Sequence, residues 1–328
     1  MRIIVLDSYF VNPGDLSWEP FEELGDLAVY RNSTPDQVLE RAVGAEAVMI
    51  DSVRFSAREF KALPDLRYLG LFATGFDRVD LEAAIAHGVT VCNVPAYGTD
   101  SVAQAAMALV LSLAHRVREC DALVQRGEWV AGREQRYPAQ PLMELRGKVF
   151  GVVGLGRIGR ATAGLARAFG MRVLGYNRTP RAEAAQDGIE LVELEELLRR
   201  SDVVSLHTAL TDETHHLIDE NALSRMKPGA LLINTARGGL IDDRALAAAL
   251  QDGRIGGAGL DVLGPSEPPE PDNPLLSAPN CIITPHVAWA TPEARGRCLQ
   301  GAAANLRAFQ EGRAQNVVAA PGAGGAAG

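Results

Sequence analysis

Lys148-Val149-Phe150-Gly151-Val152-Val153-Gly154-Leu155-Gly156-Arg157-Ile158-Gly159 decides how the rest of the chain is read. Its first half is an apolar run of strand length. Its second half carries three glycines at G-x-G-x-x-G spacing. Ala161, Ala163, Leu165, Ala166, Ala168 and Phe169 then recur with helical period until Gly170. A strand, a glycine turn and a helix in that order are the context in which the motif implies dinucleotide binding. Gly154 permits the tight turn, Gly156 lets backbone approach a pyrophosphate, and Gly159 lets helix and strand pack closely. The helix start, with Arg157 and Ile158, offers N–H groups and a partial positive charge to phosphates.

Working outward, the 328 residues are enough for two domains, each with its own core. The composition, 47% apolar and 22% charged, is that of a globular protein rather than a disordered or fibrous one. No apolar run is long enough to span a membrane, and the chain opens on a strand-like run rather than a signal peptide. A net charge of −9 with no basic stripe argues against nucleic acid as a partner. Cys92, Cys120, Cys281 and Cys298 are scattered, with no C-x-x-C pair, so neither a disulfide framework nor a zinc site is expected. Free thiols fit a reducing cytoplasm.

Strands are expected at Arg2–Asp7, Leu27–Tyr30, Ala47–Asp51, Arg67–Leu71 and Val89–Cys92, with helices between them: a small parallel α/β sheet. A long helix is expected from Ser101 through Ala106, Leu109, Leu113 and Val117, too apolar for one buried face and so covered on two sides, a second subunit being one candidate cover. After the glycine turn, strands are expected at Arg172–Tyr176, Glu190–Val192, Asp202–Leu206, Ala230–Asn234, Gly257–Asp261 and Cys281–Thr284. A helix is expected over Asp242–Gln251, capped by Asp242 or Asp243 and stopped by Gly253. A last helix from Pro292 to Gln310 would return to the first domain. The expected domains are therefore 1–100 plus 291–328, and 101–290, with a Gly/Ala-rich frayed tail over Pro321–Gly328.

The second strand of the nucleotide unit ends in Gly175-Tyr176-Asn177-Arg178-Thr179. An acidic residue there binds the ribose 2′-OH of NAD and repels the 2′-phosphate of NADP. Here Asn177 stands in its place, beside Arg178, Thr179 and the nearby Arg181. An arginine and a hydroxyl can hold a phosphate, so NADP(H) is the expected preference, with NAD(H) the alternative.

Three later segments carry reactive groups. Asn234-Thr235-Ala236-Arg237-Gly238 ends a strand in Arg237, at the edge where open α/β sheets bind ligands. Its guanidinium fork suits a carboxylate and can polarise a neighbouring keto oxygen. Asp261 closes another strand, where it can face the cofactor's carboxamide or ribose, and Glu267 follows in a proline-rich loop. Thr284-Pro285-His286 puts an imidazole directly after a strand. His87, His115, His215 and His216 fall in helical or loop contexts and read as structural or exposed, whereas His207 follows a strand and can line the cofactor cleft.

In this order, Asn234-Thr235-Ala236-Arg237-Gly238, Glu267-Pro268 and Thr284-Pro285-His286 after the glycine loop resemble the D-isomer-specific 2-hydroxyacid dehydrogenases. Asn12-Pro13-Gly14-Asp15-Leu16-Ser17-Trp18, Ala73-Thr74-Gly75, Asn93-Val94-Pro95-Ala96-Tyr97-Gly98-Thr99 and Asp272-Asn273-Pro274-Leu275-Leu276 resemble their glycerate dehydrogenase (hydroxypyruvate reductase) branch. The resemblance implies a Rossmann-type doubly wound sheet inserted into a smaller, flavodoxin-like substrate domain. It implies an NAD(P)H-dependent reductase of small 2-oxo acids, such as hydroxypyruvate or glyoxylate. In it, Arg237 binds the substrate carboxylate and carbonyl, and His286 protonates the keto oxygen. Glu267 holds the His286 ring and favours its charged form, and the backbone at Thr74 and Gly75 completes the carboxylate site. His207, Thr208, Thr214, Thr235, Ala236 and Asp261 join the glycine loop around the cofactor, no metal is required, and a homodimer using the long helix is implied.

Two departures stand out. Glu267 lies six residues past Asp261, one more than the family usually shows, with Ser266 or a neighbour inserted; the resemblance assigns the partner role to Glu267 of Glu267-Pro268 rather than to Glu270 of Glu270-Pro271. Asp51-Ser52 replaces the Asn-Lys that this branch often carries. Alternatives on the same scaffold are a phosphite or other small-anion dehydrogenase and a dinucleotide-sensing corepressor-like protein. Formate dehydrogenases lack the glutamate, so Glu267 weighs against that chemistry.

Overall fold

The computed structural model describes residues 1–130, 141–179, 187–264 and 266–321. Arg181, Pro265 and the tail residues 322–328 lie outside the described residues. The chain divides into two compact units, Met1–Gly98 with Ala290–Gly328, and Thr99–Trp289.

The first unit is built on β1 (Arg2–Val5), β2 (Asp26–Val29), β3 (Ala47–Ile50), β4 (Tyr68–Leu71) and β5 (Thr90–Cys92), all parallel. The crossovers between them carry α1 (Glu19–Glu22), α2 (Pro35–Ala42), α3 (Ala57–Ala62) and α4 (Leu81–Ala86). The strand order, β2-β1-β3-β4-β5, is the flavodoxin-like one, and Val317–Ala319 adds an antiparallel edge strand beside β5. Both faces of the sheet are covered, so its strands read as continuous apolar runs. Ile4 joins Val48, Ile50 and Leu69 on one face. Ile3 and Val5 join Phe21, Tyr68 and, from the last helix Pro292–Gln310, Leu299 and Leu306 on the other.

β1 and β3 stop short of the expected Asp7 and Asp51 for one electrostatic reason. The buried Asp7 carboxylate accepts from the backbone N–H groups of Asp51, Ser52 and Val53, and from the Ser52 hydroxyl. Burial pushes the Asp7 carboxyl above its usual range, and those bonds oppose the push. The Asp51-Ser52 departure thus has a local structural role, with Ser52 held as a donor to Asp7.

In the second unit, β6 (Val149–Val153), β7 (Arg172–Tyr176), β8 (Glu190–Leu191), β9 (Val203–Leu206), β10 (Leu231–Asn234), β11 (Gly257–Leu260) and β12 (Cys281–Ile283) form one parallel sheet. Its order, β12-β11-β10-β9-β6-β7-β8, is doubly wound, with the direction of winding reversing at β6. Such a reversal opens a crevice at the strands' carboxyl ends. Side chains along β6 alternate between the two covered faces, Val149 and Val153 into one core and Phe150 and Val152 into the other.

The helix expected through Val117 is broken. α5 (Thr99–Ala114) ends before Arg116, which takes a left-handed φ of 49°, and α6 (Val117–Gln125) follows. That turn lets the buried Arg116 guanidinium donate to the Gly256 carbonyl at 3.1 Å and Asn280 Oδ1 at 2.9 Å. Burial of a charge is tolerated when it is so partnered. α5 packs against α7 (Arg157–Ala168), β10 and β11. Leu109 Cβ occupies the space that a side chain at Gly259 would need, at 2.8 Å.

Candidate active site

Each glycine of the motif has a separate physical reason. Gly154 has a φ of +97°, and a Cβ there would lie 2.5 Å from the His207 carbonyl oxygen at the end of β9. A Cβ on Gly159 would meet the Gly154 carbonyl oxygen at 2.0 Å, so α7 could not pack so closely on β6. Gly156 differs: a Cβ there meets no heavy atom of the described residues within 4 Å. Gly156 is the N-cap of α7, without a side-chain cap, and the first turn holds no acidic residue. Arg157 is exposed and Ile158 half-buried in that turn. The uncapped helix start leaves N–H groups for an anion.

The end of β7 is tied to this loop by Asn177. Its Oδ1 accepts from the Leu155 N–H at 3.1 Å, and its Nδ2 donates to the Thr179 carbonyl at 2.6 Å. Arg178 is exposed and forms an ion pair with Glu213, from the loop after β9. No local pattern signals an acidic group facing this arginine; tertiary folding supplies one. Thr214 Oγ1 accepts from the Thr211 N–H at 2.7 Å and donates to the Ala209 carbonyl at 2.8 Å, so its hydroxyl fixes the turn that presents Glu213.

His207 and Thr208 lie with their backbone against Gly154. The half-buried His207 ring meets Ser205 Oγ at 2.8 Å through Nε2, and burial pushes the imidazole down to about 4. It is therefore neutral at neutral pH.

After β10 the buried Asn234 shapes the next turn, accepting from the Ala236 N–H and donating to the Arg237 carbonyl. Arg237 Nη1 donates to the Ala236 carbonyl at 2.9 Å. A Cβ on Gly238 would overlap the Leu263 carbonyl, at 1.9–2.0 Å, so this turn lies directly on the loop that follows β11. Thr235 Oγ1 is buried without a hydrogen-bond partner among the described residues. Buried hydroxyls nearly always have one, so this atom points to a ligand group beyond the protein's own.

The loop after β11 carries Glu267, whose Oε2 lies 2.6 Å from His286 Nδ1. Glu267, not Glu270, is the partner despite the extra residue. The Ser266 hydroxyl donates to the Pro268 carbonyl, closing the local turn. His286 has a left-handed φ of 54°, a conformation that costs a non-glycine residue about 1–3 kcal/mol and clusters at functional sites. Asp261 holds it there. The Asp261 backbone carbonyl accepts from the His286 N–H at 2.8 Å. Its carboxylate accepts from Thr284 Oγ1 at 2.5 Å, Val287 N–H at 3.0 Å and Ala288 N–H at 2.9 Å. Asp261 is expected to face the cofactor; its carboxylate also organises the His286 loop, and β11 ends one residue before it. Burial pushes this carboxyl above its usual range and the three hydrogen bonds oppose the push.

Asn273 anchors the same region, donating to Asp243 Oδ2 at 2.7 Å and to the Gly264 carbonyl at 3.2 Å. This accounts for the Asp272–Leu276 motif. Thr74, in the other unit, donates its hydroxyl to the Val94 carbonyl and accepts at its own carbonyl from Asn93 Nδ2; Gly75 follows it. The structure thus brings Arg237, Glu267 and His286 onto neighbouring loops at the carboxyl ends of β10, β11 and β12. Asn234 and Thr284 were quoted in the sequence motifs without a role and prove to be positioning residues. Glu213 left no local signal.

The open face at Gly156, the uncapped start of α7 and the orphaned Thr235 hydroxyl fit a dinucleotide. Among the described residues no cluster of three or more His, Cys, Asp or Glu side chains could hold a metal, and no helix is long and apolar enough to cross a membrane.

Comparison with known proteins agrees with this geometry. A family model described as D-isomer specific 2-hydroxyacid dehydrogenase, NAD binding domain, matches residues 107–288. A hydroxypyruvate reductase of Blautia hydrogenotrophica is 41% identical over 321 residues, covering 97% of this chain and 99% of the relative. A glycerate dehydrogenase of Methylorubrum extorquens is 43% identical over 289 residues, 88% of this chain and 90% of its own. Among solved structures, a protein of Thermus thermophilus superposes with a TM-score of 0.86 at 38% identity, over 97% of this chain and 100% of that one. An acyclic imino acid reductase in complex with NADPH and D-Arg gives 0.84 at 30% identity, over 97% and 99%. The chain belongs to the D-isomer specific 2-hydroxyacid dehydrogenase family, in its glycerate dehydrogenase and hydroxypyruvate reductase branch, and is an oxidoreductase that uses a nicotinamide dinucleotide.

Proposed function

We propose that this enzyme reduces small 2-oxo acids of the hydroxypyruvate and glyoxylate type to D-2-hydroxy acids, preferring NADP(H) and accepting NAD(H). The observation that carries the reading is the 2.6 Å contact between His286 Nδ1 and Glu267 Oε2. With Nδ1 committed, Nε2 is the ring nitrogen left for a substrate oxygen. Relatives named hydroxypyruvate reductase, glycerate dehydrogenase and glyoxylate reductase, 40–43% identical, support the substrate class. They do not favour a small-anion dehydrogenase or a corepressor.

A bound reduced nicotinamide supplies the hydride that the carbonyl carbon accepts. His286 gives its Nε2 proton to the keto oxygen, so that hydride and proton together make the alcohol. Reduction then needs the protonated ring and oxidation the neutral one, giving opposite pH limbs for the two directions. Glu267 orients the imidazole, and Asp261 with Thr284 fixes the backbone that carries it. Arg237 holds the substrate carboxylate through its fork and stabilises charge gathering on the neighbouring oxygen. Thr74 and Gly75 are assigned to the same carboxylate by resemblance. Gly154, Gly156, Arg157, Ile158 and Gly159 are assigned to the pyrophosphate. Asn177, Arg178 and Thr179 take the adenosine ribose, and His207, Thr208, Thr235 and Ala236 line the remainder.

The test is NADPH and NADH oxidation against glyoxylate, hydroxypyruvate, pyruvate and bulkier 2-oxo acids. The reading predicts highest kcat/KM with the two smallest polar acids and with NADPH. Turnover confined to bulky acids, or a large NADH advantage, would contradict it in the corresponding part.

A homodimer belongs to the same proposal. α6 buries none of its residues; its Val117 and Val124 are exposed, as are Trp129 and Val130 just after it and Leu142 further on. Exposed apolar groups in one stretch mark an association surface. Sedimentation equilibrium should return twice the 35.0 kDa chain mass; a monomer at micromolar concentration would end the idea.

A further inference from the structure

Arg178 and Glu213 come from different loops, and the ion pair between them joins the end of β7 to the turn after β9. Both side chains are exposed, at 72% and 68%. Neither loop is loose around them. Asn177 pins the arginine's backbone to Leu155 and Thr179. Thr214, next to Glu213, closes its turn on Thr211 and Ala209. The position that elsewhere supplies a carboxylate to the adenosine ribose holds Asn177 here, and the acidic group against Arg178 arrives instead from the loop after β9.

We propose that Glu213 is a specificity-determining residue that competes with a cofactor 2′-phosphate for the Arg178 guanidinium. Without a 2′-phosphate, the carboxylate satisfies Arg178, and a cofactor bearing a free ribose hydroxyl meets a locally neutral pair. With one, Arg178 must exchange a monoanionic carboxylate for a phosphate of up to two negative charges, while Glu213 is left as a like charge nearby. A guanidinium prefers the more highly charged, bidentate partner. The exchange is therefore favourable, but less so than at an arginine without a carboxylate beside it. The pair lowers discrimination between the two cofactors rather than abolishing it. This rests on the dinucleotide assignment and extends it to how the preference is set.

The magnitude follows from exposure. Surface ion pairs and screened like charges a few ångströms apart are each worth little, which together amounts to about a 5- to 10-fold change in affinity. The experiment is calorimetric titration of the full-length protein, without substrate or turnover, using 2′,5′-ADP and 5′-ADP as probes. Wild type, Glu213→Gln, Arg178→Gln and the double variant are compared. Glu213→Gln should tighten 2′,5′-ADP about 5- to 10-fold and leave 5′-ADP within about twofold. In the Arg178→Gln background the same change should gain less than about twofold, because the competed-for group is gone. The gain should also shrink in high salt. An unchanged 2′,5′-ADP affinity in Glu213→Gln overturns the proposal, as does an equal change for both probes or a full gain without Arg178. A wild-type preference for 5′-ADP would remove the NADP(H) preference proposed above, while the Glu213→Gln ratio would still decide this one.

Discussion

Replacing Asp261 by Asn tests how the site is held together. Asp261 is 2% exposed, and its carboxylate accepts three hydrogen bonds, from Thr284 Oγ1, Val287 N–H and Ala288 N–H. An amide of the same shape accepts only at its one oxygen and points an NH2 group where the other oxygen stood. Oδ1 accepts from Thr284 and Val287 and Oδ2 from Ala288, so the amide best keeps its oxygen on the first two and sets donor against donor at Ala288. Losing one bond to a charged acceptor costs about 1.5–3 kcal/mol, and a buried donor left unpaired costs about 1–3 kcal/mol more. The left-handed backbone of His286 draws on the same bonds, so part of that cost emerges as departure of the loop from its native geometry. Each 1.4 kcal/mol borne by the competent arrangement removes about tenfold in rate. The expected loss in kcat is therefore about 10- to 100-fold, with a smaller change in KM because Arg237 is untouched. Steady-state kinetics with glyoxylate and NADPH measure the first quantity. Amide hydrogen exchange measures the cause: Val287 and Ala288 should lose protection while β6 amides keep theirs. A kcat within about twofold of wild type, or intact protection at Val287 and Ala288, would refute this reasoning.

Other outcomes can be checked more briefly. His286→Ala should lose about 10²-fold or more in kcat, and near-normal turnover would remove it from the proton-transfer role. Arg237→Lys should raise KM for the oxo acid, because a point charge cannot reproduce the fork; unchanged kcat and KM would speak against a carboxylate clamp. His207 is held neutral by burial, near 4 against 6.5 for the free group. The unfolded chain therefore binds its proton first, and stability contributed by the neutral ring is present above pH 6.5 and lost as pH falls toward 4. The full effect of a shift of that size is about 3 kcal/mol. His207→Asn should show a shallower drop in Tm than wild type as pH falls through that window; parallel curves would contradict the assignment.

Much of the core chemistry was written locally. The glycine loop, Arg237 and His286 were legible because strand ends and glycine turns are set by neighbours in sequence, and the turn after each strand can point only to the carboxyl edge. The pairing of Glu267 with His286 was legible only through resemblance, since Glu270 satisfies local reasoning equally well. The break at Arg116 escaped detection because nothing in the apolar period from Ser101 to Val117 announces the buried partners at Gly256 and Asn280. Short-range rules also placed Asp7 and Asp261 inside the ends of strands. Their carboxylates instead turn away to collect N–H groups from a neighbouring segment, and the strands stop before them.

The sequence alone determined two α/β units with parallel sheets, a dinucleotide loop and an arginine and a histidine at strand ends, because hydrophobic period and glycine placement act over a few residues. Only the tertiary structure decided which carboxylate meets His286, that Asp261 shapes a loop, and that Glu213 faces Arg178. Those outcomes depend on charges and donors brought together across tens of residues, and no local pattern encodes the distance between two loops.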